Sequence, residues 1–265
     1  SYFESFGIDM ARVVHTPITD VEELKFDIMK QLDGIDKKDK VVILIDSIGN
    51  LASKKEVTDA MDGKSVADMS RAKQMKSLFR MITPHLNLKD IPLVAVNHTY
   101  KEIGLFPKDI VSGGTGAYYS ADAIWIIGRQ QEKVGQEIEG YHFIINIEKS
   151  RHVREKSKIP VTVTFEGGIS KWSGLLDISE KLGYITKPKV GWYEAIDPET
   201  GEVLSDKLMR AKDINSNSEF WKMMFTKTKL AESIKTRYTV GGTALMSEDE
   251  TDKEVQEEID QAVGE

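Results

Sequence analysis

Lys40 to Lys55 reads "KVVILIDSIGNLASKK", and its apolar core Val41–Ile45 runs straight into Asp46 and Ser47. A run so short and so rich in β-branched residues is a strand buried on both faces, not one stripe of a helix. Such strands belong to parallel sheets covered by helices, which narrows the chain to an α/β fold. In open sheets of that class the ligand lies beyond the carboxyl ends of the strands. Here that end carries a carboxylate.

The flanking sequence alternates in the same way. Tyr2 to Phe6 reads as the end of a helix stopped at Gly7, and "RVVHTP" as a short strand. Asp20 and Glu23 form a capping-box pattern that opens a helix with Val21, Leu24, Ile28 and Leu32 on one face. After the strand at 41–45 comes a polar stretch, Asn50 to Ser65, without periodicity. A helix over 66–82 follows, with Val66, Met69, Met75, Phe79 and Ile82 at helical spacing and Lys73, Lys76 and Arg80 on another face. "IPLVAVNHT" is a second buried strand, ending in Asn97 and His98, and a long loop through "IVSGGTG" leads to a helical turn and a third strand at 123–127. This alternation argues a parallel, doubly wound sheet.

"YHFIINIE" and "VTVTF" read as a hairpin-like extension, after which the texture changes. "SGLLDISEKLGY" is a capped helix, "GWYEAIDPETGEVL" a hairpin turning at Pro198 to Gly201, and 219–238 a last helix. The expected organisation is a core over 1–168, a small α/β appendage over 169–246 and an acidic tail over 247–265.

With 40% apolar and 30% charged residues the chain reads as soluble and globular, and the absence of cysteine excludes disulfides and thiolate zinc sites. No apolar run approaches the roughly 20 residues of a membrane helix. A cytoplasmic protein without a membrane partner is the economical expectation. The formal charge of −7 is misleading about polyanions, because residues 248–265 hold nine acids and one lysine. The body is therefore close to neutral. The tail is either a solvated end or a segment that competes with DNA for basic loops.

A carboxylate at a buried strand tip is the usual holder of magnesium beside a glycine-rich phosphate loop. Gly63, Lys64 and Ser65 imitate the end of such a loop, but Thr58 stands where its first glycine belongs. Asp59 and Asp62 would repel phosphate, and no strand precedes. No other G-x-x-x-x-G-K-[ST] exists in the chain. Because the chain opens at Ser1 in what reads as mid-helix, the expectation is that the loop belongs to upstream sequence.

"VVILIDSIGNLASKKE", "DMSRAKQMKSLFR", "NHTY", "SGGTGAYYSAD", "EKSR" and "SGLLD" occur in that order, and together they resemble the RecA-type strand-exchange recombinases, within them the UvsX-type recombinases of T-even-like phages. The resemblance runs from Tyr2 to about Tyr238. It implies a RecA-like ATPase core and an ATP- and Mg2+-dependent protein that forms a helical filament on single-stranded DNA and exchanges it into a homologous duplex. It also implies loader and single-strand-binding partners, and the host cytoplasm as the place of action.

Mapped by this resemblance, Asp46 binds magnesium through water with Ser47 beside it, and Tyr2 packs on the adenine. His98 senses the γ-phosphate, while Lys149 and Arg151 cross a subunit interface to the neighbour's ATP. A first DNA-binding segment covers about 50–65 and the helix behind it, with Lys54, Lys55, Arg71, Lys73 and Lys76. A second covers about 99–116, with Tyr100, Lys101, Phe106, Lys108, Gly113, Gly114, Thr115 and Gly116. The remaining histidines, His15, His85, His142 and His152, have no metal-ligand spacing.

Three parts of the family pattern are missing from these 265 residues: the polymerisation segment, the phosphate loop and the glutamate that activates water. The resemblance therefore implies an incomplete sheet and no ATP hydrolysis by this chain alone. A hexameric helicase motor of the same core, or a non-catalytic DNA-binding or filament-capping protein, stand as alternatives.

Overall fold

The computed structural model describes residues 2–64, 70–103, 109–134, 137–165 and 168–240. They form two compact units divided after Ile126, well before the boundary expected at 168.

The first unit opens with a short helix α1 (Tyr2–Ser5) and a 3-10 turn at Met10–Arg12, capped by the Asp9 carboxylate. The expected strand "RVVHTP" is not formed. Helix α2 (Val21–Gly34) starts where the capping pattern put it: Asp20 Oδ1 accepts from the Glu23 N–H at 2.7 Å. The Glu23 carboxylate reaches back to the Thr19 N–H and hydroxyl, both at 2.8 Å. The Thr19 backbone N–H is the main reason its pKa lies below the ordinary value.

Strand β1 (Ile43–Ile45) leads through a 3-10 turn (Ile48–Asn50) into helix α3 (Lys54–Met61), then helix α4 (Ser70–Lys89) and strand β2 (Leu93–Ala95). Val21, Leu24, Ile28 and Leu32 of α2, Met75, Leu78 and Ile82 of α4, and Ile45 and Ile48 form one buried cluster. Lys89 ties the ends together, its ammonium donating to the carbonyls of Leu32 and Ile35 where α2 runs out of internal partners.

Strands β3 (Thr99–Lys101) and β4 (Asp109–Val111) pair antiparallel, and helix α5 (Thr115–Ser120) closes the unit. Three expectations are corrected here. The stretch after Asn50 is not aperiodic throughout, since Ser53 Oγ accepts from the Glu56 N–H and opens α3. The helix expected to stop at 82 continues to Lys89, with Pro84 inside it; Val66 and Met69 lie outside the described residues. Between 99 and 116 the described residues hold an antiparallel strand pair and the start of α5 rather than loop throughout, and 104–108 lie outside the described residues.

The second unit is built on a four-stranded sheet ordered β5 (Ala123–Val134), β6 (Glu137–Ser150), β7 (Lys158–Thr164) and β8 (Gly168–Ile169). Among the described residues, β1 and β2 pair in parallel, in register Ile43 to Leu93 and Ile45 to Ala95, and one isolated parallel bridge joins Asp20 to Ala52. The doubly wound sheet is thus reduced to one parallel pair. The third strand is longer than its apolar core and lies beside β6 in this second sheet rather than beside β2.

Behind this sheet in the chain come helix α6 (Leu175–Lys181), hairpin β9 (Ile185–Lys189) and β10 (Trp192–Ala195), and helices α7 (Ala211–Ser216), α8 (Ser218–Lys227) and α9 (Leu230–Tyr238). The strand partner of β10 is β9, and the expected turn at 198–201 survives as an isolated bridge between Ile196 and Val203. The expected last helix is two, because the Thr228 hydroxyl accepts from the Leu230 N–H and starts a new helix. Trp221, Met224, Ile214, Ile185 and Leu230 are fully buried at its core. The acidic tail lies outside the described residues.

Candidate functional site

The parallel pair fixes the site. Beyond the strand ends the Val96 N–H donates to the Ile45 carbonyl and the Ile48 N–H to the Val96 carbonyl, each at 2.9 Å. Asp46 and Ser47 on one strand and Asn97 and His98 on the other therefore leave the sheet side by side. Asp46 is exposed, and the buried Ser47 Oγ next to it has no hydrogen-bond partner. Among the described residues no cluster of three or more His, Cys, Asp or Glu could cage a metal. One open carboxylate and an unsatisfied hydroxyl fit magnesium, which keeps most of its water and takes its other ligands from phosphate.

His98 leads directly into β3, and its Nε2 lies 2.9 Å from Asn50 Oδ1 on the turn that follows Asp46. Asn97 secures the hairpin: its Nδ2 donates to the Ser112 carbonyl at 2.8 Å, and the Ser112 N–H donates to the His98 carbonyl at 2.9 Å. Both expected DNA segments thus start within a few residues of Asp46 or His98.

The residues expected in those segments have unequal freedom. Arg71 donates through Nε to the Leu51 carbonyl at 2.6 Å and through Nη2 to the carbonyls of Ile48 and Gly49, each at 3.1 Å. Three of its five N–H donors are thus spent on the turn, which leaves two for any contact with DNA. Lys54 and Lys55 stand in the first turn of α3, where the helix dipole disfavours cations; Lys55 is offset by Asp59 at 2.5 Å. Lys73 and Lys76 are exposed on α4. Lys101 pairs with Asp109 across the hairpin at 2.8 Å, and Tyr100 is 56% exposed. Phe106 and Lys108 lie outside the described residues.

The glycines have a packing role that sequence reasoning missed. Gly113 and Gly114 take φ of 92° and 75°, conformations that disfavour other residues. Gly116, buried on α5, lies so close to α4 that an added Cβ would stand 2.7 Å from Lys76 Cα and 2.9 Å from its Cβ. Gly116→Ala is expected to lose about 1–3 kcal/mol by forcing these helices apart, read as a lower urea midpoint. An unchanged midpoint would show that the contact is not tight. Thr115 begins α5 and is exposed.

Tyr2 opens α1. Lys149, in the second unit, is partly buried at the end of β6, and Arg151 is exposed in the turn after it. That turn is held by the Ser150 hydroxyl, which accepts from the N–H groups of His152 and Val153 at 3.2 and 3.0 Å.

A model of the family described as bacteriophage T4 recombination and repair protein, C-terminal domain, matches residues 172–234. The chain is 48% identical over 266 residues to the recombination and repair protein of Enterobacteria phage T4, covering 99% of this chain and 67% of that protein. Protein RecA of Bacteroides thetaiotaomicron is 26% identical over 164 residues, covering 61% of this chain and 49% of RecA. Protein RecA of Synechococcus is 25% identical over 195 residues, covering 72% of this chain and 50% of RecA. A strand-tip carboxylate beside a polar strand end, on a chain with these relatives, fits a RecA-like α/β fold. The chain belongs to the family of the phage T4 recombination and repair protein, and it spans two thirds of that protein's length and about half that of the RecA proteins.

Proposed function

We propose that this chain carries the magnesium-binding strand and both DNA-binding segments of an ATP-dependent recombinase, one that forms a helical filament on single-stranded DNA and pairs it with homologous duplex. The observation that supports this reading is the shared edge of β1 and β2, where Asp46 and His98 each pass at once into a cation-bearing segment. Asp46, with Ser47, would hold Mg2+, which when bound with ATP neutralises charge on the phosphates. His98 orients toward that edge and carries the state of the nucleotide into the β3–β4 hairpin. Lys54, Lys55, Lys73 and Lys76 meet the DNA backbone, while Tyr100 and Phe106 stack on bases. Lys149 and Arg151 face a neighbouring subunit's triphosphate, and Tyr2 packs on adenine. Loader and single-strand-binding proteins in the host cytoplasm complete the reading.

Fluorescence anisotropy with a labelled single-stranded oligonucleotide tests it. Binding is expected to weaken with salt at a log–log slope of about −0.7 for each phosphate neutralised, and the slope is expected to shallow when Lys73 and Lys76 are both changed to Gln. Absence of binding at low salt, or a slope unmoved by the double change, would contradict it. The same 265 residues are expected to hydrolyse ATP no faster than buffer, because they lack a phosphate loop. DNA-stimulated turnover that disappears in Asp46→Ala would refute that part.

A further inference from the structure

Two rigid frames meet at the site. The turn at 48–51 is locked by the three carbonyl contacts of Arg71. The base of the β3–β4 hairpin is locked by Asn97 and by the Ser112 N–H on the His98 carbonyl. Past the strand ends, His98 Nε2 meets Asn50 Oδ1 between the two frames, at 2.9 Å.

Gly49 explains why the imidazole can lie there. Its φ is not in the left-handed region, so backbone conformation does not demand glycine. Space does: a Cβ at this position would stand 2.3 Å from His98 Cδ2, 3.0 Å from its Cγ and 3.1 Å from Asn97 Oδ1. The missing side chain at 49 and the acceptor at 50 together shape a seat for one ring.

We infer that Asn50 is a positioning residue for His98, seated by the gap at Gly49, and that this contact couples the turn after Asp46 to the DNA-binding hairpin beyond the backbone bond from Ile48 to Val96. The Nε2–H of His98 donates to Asn50 Oδ1 in the resting arrangement. A phosphate oxygen arriving at this edge competes with Asn50 for the same proton, so seating the ring on phosphate releases the turn from the hairpin. This consequence rests on the function proposed above, whereas the contact itself does not.

Hydrogen exchange on the full chain, with neither nucleotide nor DNA, tests the contact at residues 99–103 and 109–112. Asn50→Leu keeps the volume and removes the acceptor, and is expected to speed exchange there about three- to tenfold. Asn50→Asp keeps an acceptor and is expected to stay within about twofold of the unaltered protein. Gly49→Ala keeps both polar groups and displaces the ring, so it is expected to match Asn50→Leu. Adding His98→Ala to Asn50→Leu is expected to change nothing more. Equal effects of Asn50→Leu and Asn50→Asp, additivity in the double variant, or no acceleration at all would each overturn the inference. Failure of the oligonucleotide titration with this exchange pattern intact would instead remove the proposed function and leave the contact standing.

Discussion

Arg71→Met is expected to loosen the turn after Asp46 and to weaken single-stranded DNA binding about tenfold without removing a DNA contact. The guanidinium satisfies three carbonyls of a segment that has no ladder of its own. Hydrogen bonds from a charged donor are each worth about 1.5–3 kcal/mol when buried. Arg71 is only part-buried, so solvent reduces the sum to about 2–3 kcal/mol for the set. Arg71→Lys is expected to recover less than half of that, since one ammonium cannot reach carbonyls on both sides of the turn as the planar fork does. Urea unfolding together with anisotropy reads both quantities. If Arg71→Met lost DNA affinity with its stability intact, the side chain would be a DNA contact after all.

Trp221→Ala is expected to cost the second unit about 3–5 kcal/mol. The indole is fully buried, packs edge-on against Phe220 at 5.2 Å between centroids, and stacks with Trp172 at 6.5 Å. Its Nε1–H donates to the Ile214 carbonyl at 3.0 Å, so truncation leaves a cavity and removes one of two hydrogen bonds to that carbonyl, the other coming from the Asn217 N–H at 3.1 Å. Trp221→Phe fills most of the volume and is expected to lose about half as much. Melting followed by far-ultraviolet circular dichroism separates the two variants. Equal midpoints for Trp221→Ala and the unaltered protein would place the core of this unit elsewhere.

Much of the arrangement around Asp46 was legible in the sequence because it rests on short-range signals. The apolar run into Asp46 gave β1, the run into His98 gave β2, and Asp20 with Glu23 marked the start of α2 to the residue. What escaped is mostly what depends on distant partners. The pairing of the strand after Ser120 was misjudged because an apolar run does not say whether its neighbour is parallel or antiparallel. The role of Arg71 depends on carbonyls 20 to 23 residues away, which no local pattern encodes. Gly116 is counted with the second DNA-binding segment by resemblance, yet its place is also set by the backbone of α4. Ser53-Lys54-Lys55-Glu56 carries the same capping-box signal as Asp20 with Glu23, and it opens α3.

Glycine against a helix backbone is a stiff joint, because no side chain lies between the two chains to absorb a shift. Whatever displaces the segment behind the hairpin must carry α4 with it. That helix is a rod of about 30 Å, and its far end is where the Lys89 ammonium grips the last carbonyls of α2. α4 thus touches the glycine at Lys76 and the end of α2 through Lys89.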